Sequence, residues 1–323
     1  MYKHWFSAIL LGFAACTAHA ANEDVVRLGN LKFAQYGAVS YMKEIAPKYG
    51  LKIEERMFAK GVDILPAIVA GEIDVSASAA DGAIAGRASG VPIYVVAGFA
   101  KGGARILAAP DSGIRTIADM KGKKVGVPRG GAQELLLLAE LAKHGLTWSD
   151  KPGKDVLLVY LAYADLNQAL LTKQIDAMCQ SEPQSSQALS KKFGIEVMKP
   201  YDTELGEPVR TLVITEKLYK ERPDVAQRLL KVFVEATRTF IDNPGLAEKY
   251  VSQNMFKGQL TSQDYQDAIG NSPFTYDVTT ENIDVTAGMM HKYGVGRLTK
   301  VPKASEWVKL DLLDKAKRDL GIQ

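Results

Sequence analysis

Short apolar runs alternate with amphipathic stretches from Val25 to about Phe99, and the same rhythm restarts near Lys123. In the first stretch VVRLGNL reads as a strand, 37–49 as a helix and LKIEERMF as a half-buried strand of alternating faces. A helix over 63–70, the strand IDVSA, a helix over 82–88 and the buried strand IYVVAGF follow. The second stretch repeats this with KVGVP, the helix AQELLLLAELAKHG closed by Gly145, and the buried strand DVLLVYL. It goes on with a helix over 166–173, the strand IDAMCQ, a helix over 184–192 and the strand IEVMK. Strands separated by helices of this length predict βαβ units and largely parallel sheets, an α/β fold.

PVRTLVIT then reads as a strand returning to the first unit, and after Glu216 the pattern turns helical. PDVAQRLLKVFVEATRTFIDN has proline early in the helix and apolar residues three and four apart. Further helices are predicted over 244–254, 261–270, 280–292 and 304–319, a tail whose main role is to cover the sheet. The chain thus crosses between two similar lobes twice, near 106–112 and near 206–212, as in a protein that closes about a hinge. The expected division is a leader at 1–20, a first lobe of 21–108 plus 210–323 with the helical tail, and a second lobe of 109–209. Lys101-Gly102-Gly103 is expected to be no more than a flexible turn near the crossing.

Composition adds bounds. The chain has 323 residues, 47% apolar and 24% charged, enough for about two globular domains. A net charge of +3 without a dense Lys/Arg block gives no support for a nucleic-acid partner or an anionic membrane surface. Lys3, the apolar run FSAILLGFAAC and the small-residue site Ala18-His19-Ala20 predict an export signal cleaved after Ala20. Lipid attachment at Cys16 is the alternative, though Phe13 is unusual at the start of such a box. Cleavage leaves Cys179 as the only cysteine, so no internal disulfide is available and stability rests on core burial. His144 and His291 stand apart without partners at ligand spacing, and neither a metal nor a cofactor is expected.

Ligands of open α/β sheets sit beyond the carboxyl ends of strands, which selects the loops to read. Ile73-Asp74 recurs as Ile175-Asp176 after an apolar helix and a turn. Both acids open strands, so they read as turn-stabilising groups and not as a catalytic pair. Beyond the first strand come Ser76, Ser78 and Ala79, whose small side chains allow close approach to backbone N–H groups, or else close helix packing. Beyond the second, Gln180 and Glu182 are expected to face the cleft. In VPRGGAQE a strand runs through Arg129, Gly130 and Gly131 into a helix carrying Gln133. Exposed N–H groups and the helix dipole favour an anion there, with Arg129 as its fork; the plain alternative is a strand–helix turn with a solvated arginine. Phe33, Gln35 and Tyr36 follow the first strand, and Tyr163 follows LLVYL; they suit a clamp on a planar or apolar group, or lobe packing.

No Gly-x-Ser-x-Gly elbow, His-Glu-x-x-His helix, Walker loop or Gly-x-Gly-x-x-Gly fingerprint occurs, and no histidine falls on the cleft loops. AIVAGEIDVSASAADGAIAGRASGVPIYVVAG, IADMKGKKVGVPRGGAQELLLLAELAKHGLTWSDK and ALLTKQIDAMCQSEP resemble, in order, segments of the periplasmic binding proteins for nitrate, taurine and alkanesulfonates, a family that includes the thiamine-pyrimidine (NMT1/THI5-like) proteins. The resemblance covers roughly residues 25–240. It implies a type II-like clamshell with two parallel-type sheets flanked by helices, serving an ABC importer. Its ligand would be a small organic anion or zwitterion (a sulfonate, a taurine-like acid, a carboxylate or a pyrimidine type), its partners a membrane permease and ATPase, its state a monomer, its place the periplasm. Arg129, Gly130, Gly131 and Gln133 fall on the loop that often meets the anionic group. Gly131 stands where relatives commonly have serine or threonine, and Glu182 where an aromatic or neutral residue is frequent. An acid there suits a ligand with both acceptor and donor, or pairs with Arg129. The rival readings are an enzyme of the pyrimidine-synthesis type on the same scaffold and a sensing partner of a membrane receptor.

Overall fold

A computed structural model describes residues 23–322; the expected leader, its Ala20 cleavage site and Cys16 lie outside the described residues. Two sheets organise the chain. The first is five-stranded, with β1 (Asp24–Leu31), β2 (Leu51–Phe58), β3 (Val75–Ala79), β4 (Ile93–Lys101) and β11 (Val209–Thr215) in the order β2-β1-β3-β11-β4. The second is six-stranded, with β5 (Ala104–Ala108), β6 (Lys124–Val127), β7 (Trp148–Ser149), β8 (Val156–Tyr160), β9 (Ala177–Ser181) and β10 (Ile195–Met198) in the order β10-β5-β9-β6-β8-β7. The βαβ strands pair in parallel, as their helical crossovers require. One strand in each sheet runs the other way: β11 between β3 and β4, and β5 between β9 and β10. Each of these enters its sheet directly from a passage between the lobes and so starts where the parallel strands end.

The first passage differs from expectation. It falls at Gly102-Gly103, ahead of 106–112, because Ala104–Ala108 is already a strand of the second sheet. Both glycines have positive φ, +67° and +77°, a conformation that side chains resist. A Cβ on Gly102 would lie 2.3 Å from the Asn271 carbonyl oxygen. The return passage lies between Met198 and Val209.

Helices α1 (Gly37–Ile45), α2 (Leu65–Val69) and α3 (Ala80–Ala88) connect the first sheet's strands, and α4 (Ala132–Lys143), α5 (Tyr163–Leu171) and α6 (Gln184–Ser190) those of the second. Asp74 and Asp176 do equivalent work at the strand entrances. Asp74 accepts from the backbone N of Arg27 at 3.0 Å and Asp176 from that of Lys124 at 2.8 Å, each tying its strand to the neighbour.

The tail begins with α7 (Glu216–Glu221) and the long α8 (Pro223–Asp242), whose Leu230, Phe233 and Phe240 are buried against α1 and the sheet. It continues through α9 (Pro244–Tyr250), α10 (Ser262–Asn271), α11 (Thr280–Tyr293), α12 (Ala304–Trp307) and α13 (Asp311–Asp319). The single helix expected over 304–319 is divided, because Val308 runs beside Val95 and Lys309 donates its N–H to the Val95 carbonyl. Tail backbone also covers β4 at Gly98, whose N–H donates to the Tyr276 carbonyl. The β4 edge of the first sheet is thereby covered.

A buried charge cluster ties α10 to the second sheet. Arg105 on β5 contacts Glu182 at 2.8 Å, Glu196 at 2.7 Å and Asp267 of α10 at 2.9 Å, and Asn271 adds a 2.8 Å bond to Glu182. Arg105 and Glu182 are both out of solvent, and Glu182 depends on Arg105 for its charge partner.

A Cβ on Gly98 would sit 2.0 Å from the Asp277 carbonyl oxygen, a backbone atom that cannot swing away. Gly98→Ala should therefore cost about 1–3 kcal/mol, lowering the melting temperature by roughly 2–10 °C. Gly270→Ala, where a Cβ meets nothing within 4 Å, is the control and should not lower it. Equal melting of Gly98→Ala and wild type would show that the tail does not seal β4 this way.

Candidate functional site

The carboxyl ends of strands from both sheets meet at one cavity. Phe33 and Tyr36 follow β1, Lys60 and Gly61 follow β2, and Ala79 ends β3. From the other sheet, Arg129, Gly130 and Gly131 follow β6, Tyr163 follows β8 and Ser181 ends β9. The reversed strand β11 begins at the same end and contributes Arg210. The cavity is small, about 30 Å³, room for roughly one water. A wider chamber of about 800 Å³ adjoins it, sharing Phe33, Arg129 and Tyr163 and adding Phe58, Tyr160 and Phe256. The ring of Phe33 from the first lobe meets that of Tyr163 from the second edge-on, centroids 5.1 Å apart. Tyr36 lies beneath, 5.7 Å from Phe33 and 4.8 Å from Phe99.

The side chains around the cavity carry polar atoms without partners. Gln133 on α4 accepts from the Tyr163 hydroxyl at 2.5 Å, while its Nε2 has no acceptor. Arg210 donates from Nη2 to the Gly102 carbonyl at 2.8 Å, while its Nε has none. Asp81, in the first turn of α3, leaves Oδ1 without a donor. All three residues are at most 5% exposed. Burial pushes the Asp81 carboxyl up to about 6, with the Arg210 charge working the other way. Burial also raises the Tyr36 and Tyr163 hydroxyls, so both are neutral donors at ordinary pH.

The expected residues divide accordingly. Phe33, Tyr36, Ala79, Arg129, Gly130, Gly131, Gln133 and Tyr163 line the cavity. Gln35 is buried one layer behind, its Nε2 3.5 Å from the Ser181 hydroxyl and its Oε1 without a partner. Ser76 and Ser78 are buried away from it; the Ser78 side chain packs so closely under Gly61 that a Cβ there would lie 2.8 Å away. Gln180 does not face the cleft, because its amide is used on the Tyr163 carbonyl, Asn167 and the Ser181 N–H. Glu182 is likewise inside, held by Arg105, Asn271 and the backbone and hydroxyl of Ser186. It does not pair with Arg129, whose partner is Asp150 at 2.6 Å and whose guanidinium lies 3.8 Å over the Tyr160 ring. The Gly130 N–H is taken by Glu134 at 2.5 Å, which removes one donor from the helix start expected to meet an anion.

Sequence reading missed Asp81 and Arg210. Each is a lone charge inside an apolar or small-residue element, SASAADGAIAG and PVRTLVIT, and that isolation was the available signal. Among the described residues no group of three or more His, Cys, Asp and Glu side chains is placed to hold a metal ion.

A carboxyl whose folded pKa lies above its unfolded value of 3.8 favours the folded state while protonated, and that contribution is lost as pH rises from about 4 through 6. Carboxyls held low by cations, such as Glu216 and Glu235, act in the opposite sense near the bottom of this window, so the expected outcome is a difference: the melting temperature of Asp81→Asn should rise relative to wild type as pH rises. Glu140, buried on α4 and pushed up to about 7 by burial and Asp202, adds a slope of the same sign. The difference between wild type and the Asn variant isolates Asp81; parallel profiles would remove it as a titrating buried group.

The family model described as the NMT1-like family matches residues 19–253. A Brachyspira hyodysenteriae protein provisionally named an ABC transporter periplasmic binding protein is 24% identical over 298 residues, 85% of this chain and 83% of that one. A Bacillus subtilis protein provisionally named an aliphatic sulfonates-binding protein is 27% identical over 241 residues, 71% of this chain and 70% of that one. Among solved structures, the alkanesulfonate-binding protein of Xanthomonas axonopodis pv. citri bound to MOPS superposes with a TM-score of 0.75 at 20% identity, covering 90% of this chain and all of that one. The periplasmic nitrate-binding protein of Synechocystis gives 0.74 at 16% identity, covering 92% and 89%. These two neighbours establish the periplasmic-binding-protein fold.

Proposed function

The chain belongs to the NMT1-like family, and on that footing we propose that it is the periplasmic solute-binding component of an ABC importer. It captures a small organic anion or zwitterion between its lobes, closes about the passages at 102–103 and 199–208, and hands the solute to a membrane permease powered by an ATPase. The mature chain acts as a monomer in the periplasm, and its action is binding, without covalent chemistry. One observation carries this reading: strand ends from both sheets enclose buried side chains whose polar atoms lack partners, among them a guanidinium. Leaving such atoms unpaired costs about 1–3 kcal/mol each, a cost that a ligand offering complementary groups removes. The names of the relatives, which describe binding proteins, support the same reading.

Arg210 is the anion anchor, since it is buried and has a free N–H, whereas Arg129 is half-exposed and already paired. Native mass spectrometry of freshly purified mature protein should show a trapped small molecule of unchanged mass. A thermal-shift panel of sulfonates, carboxylates, nitrate and pyrimidines should then raise the melting temperature, with about 2.7 kcal/mol of stabilisation at 100 times the dissociation constant. Arg210→Met should weaken the best hit about 10- to 100-fold, and Arg129→Ala less than about 5-fold. No trapped molecule and no shift across the panel would sink the receptor reading, and turnover of the ligand would replace it with the enzyme.

A further inference from the structure

The three unpartnered side-chain atoms on the cavity wall are of two kinds. Arg210 Nε and Gln133 Nε2 are donors, and Asp81 Oδ1 is an acceptor. Arg210 spends its Nη2 on the Gly102 and Gly103 carbonyls, and neither its Nε nor the Asp81 Oδ1 has a hydrogen-bond partner. A ligand with acceptors alone, such as an inorganic oxyanion or an unsubstituted alkyl acid, satisfies the two donors. It then leaves the Asp81 oxygen unpaired and sets a second negative charge in the same desolvated space. A ligand with donors alone fails on the other side.

Building on the receptor reading, we propose that the solute is a small zwitterion, its acid group against Arg210 and Gln133 and an ammonium group against Asp81. Buried opposite charges of fixed position select a ligand whose own charges are separated in the same sense, and reject one of single sign. The cavity alone is too small for such a head group, so the ligand also occupies part of the adjoining chamber, where Phe33 and Tyr163 flank the space between the charged ends.

The test compares matched pairs differing only in the amino group: β-alanine with propionate, and taurine with ethanesulfonate, titrated calorimetrically into the mature protein. The amino member should bind at least about 10-fold more tightly in one pair, as expected for loss of one charge-assisted hydrogen bond in a buried site. Asp81→Asn keeps the shape and one carbonyl oxygen but removes the charge; it should abolish this preference by weakening the amino member and tightening the des-amino acid, whose negative charge no longer faces a buried carboxylate. Gln133→Met should weaken both members of the pair and preserve their ratio. Equal binding of both members, or a preference that survives Asp81→Asn, overturns the zwitterion while leaving the receptor intact. Binding of neither pair also overturns it, and the trapped-ligand mass then decides separately whether the receptor reading stands.

Discussion

Two glycines join the sheets, and much else is arranged around them. Gly102 and Gly103 turn with positive φ, and a Cβ on either would collide with neighbouring groups: the Asn271 carbonyl for one, the Gln35 amide and Ser272 hydroxyl for the other. Backbone approach this close is available only where no side chain intervenes. Because the chain passes so tightly, its carbonyls are free to accept from Arg210, and Ser181 reaches the Gly103 carbonyl at 3.3 Å. The N–H of Gly103 meanwhile donates to Asn271, the last residue of α10. Passage, cavity wall and tail thus share one set of hydrogen bonds, and a change in the backbone at this point is felt in all three.

Burial sets the character of the cavity more than net charge does. Arg129 is the more conspicuous cation, yet it stacks on Tyr160 in reach of solvent and is matched by Asp150, an arrangement worth little in a high dielectric. Arg210 and Asp81 lie deeper and closer to neutral surroundings, where the same charges act over longer range. Glu134 sharpens the contrast by holding the Gly130 N–H and the Tyr160 hydroxyl, so the start of α4 is partly satisfied by the protein itself.

The βαβ rhythm was legible because period-two and helical patterns were strong and the connecting helices short. AIVAGEID and ALLTKQID announced the equivalence of the lobes, and Asp74 and Asp176 bond in the same way in each. The aromatics Phe33, Tyr36 and Tyr163 and the Arg129–Gln133 loop were found by asking which residues follow strands. That rule has a blind spot. Gln180 lies within β9 and Glu182 just beyond it, and both turn inward: the Gln180 amide is used on Tyr163, Asn167 and Ser181, and Arg105 on β5, a strand that runs against its neighbours, holds Glu182. Arg210 was overlooked for the same reason in mirror image: β11 runs against its neighbours, so its beginning, and not its end, reaches the cavity. Antiparallel entry strands are invisible to a reading that assumes one direction throughout.

The reversed strands also define what kind of construction this is. β4 and β11 are hydrogen-bonded neighbours, with Lys101 opposite Val209, so without the residues between them they would form a simple hairpin of the first sheet. All strands of the second sheet fall inside that interval, and the Tyr201 hydroxyl ties the interval's far end back to the Ala104 backbone at 2.9 Å. The second lobe is therefore an insertion into one turn of the first, contiguous in the chain and closed upon itself. Made from the amino end, such a protein completes its lobes in reverse order: the inserted lobe has all its strands in hand while the first still lacks β11, the strand that joins β3 to β4. The lobe that begins the chain is the last whose sheet can be finished.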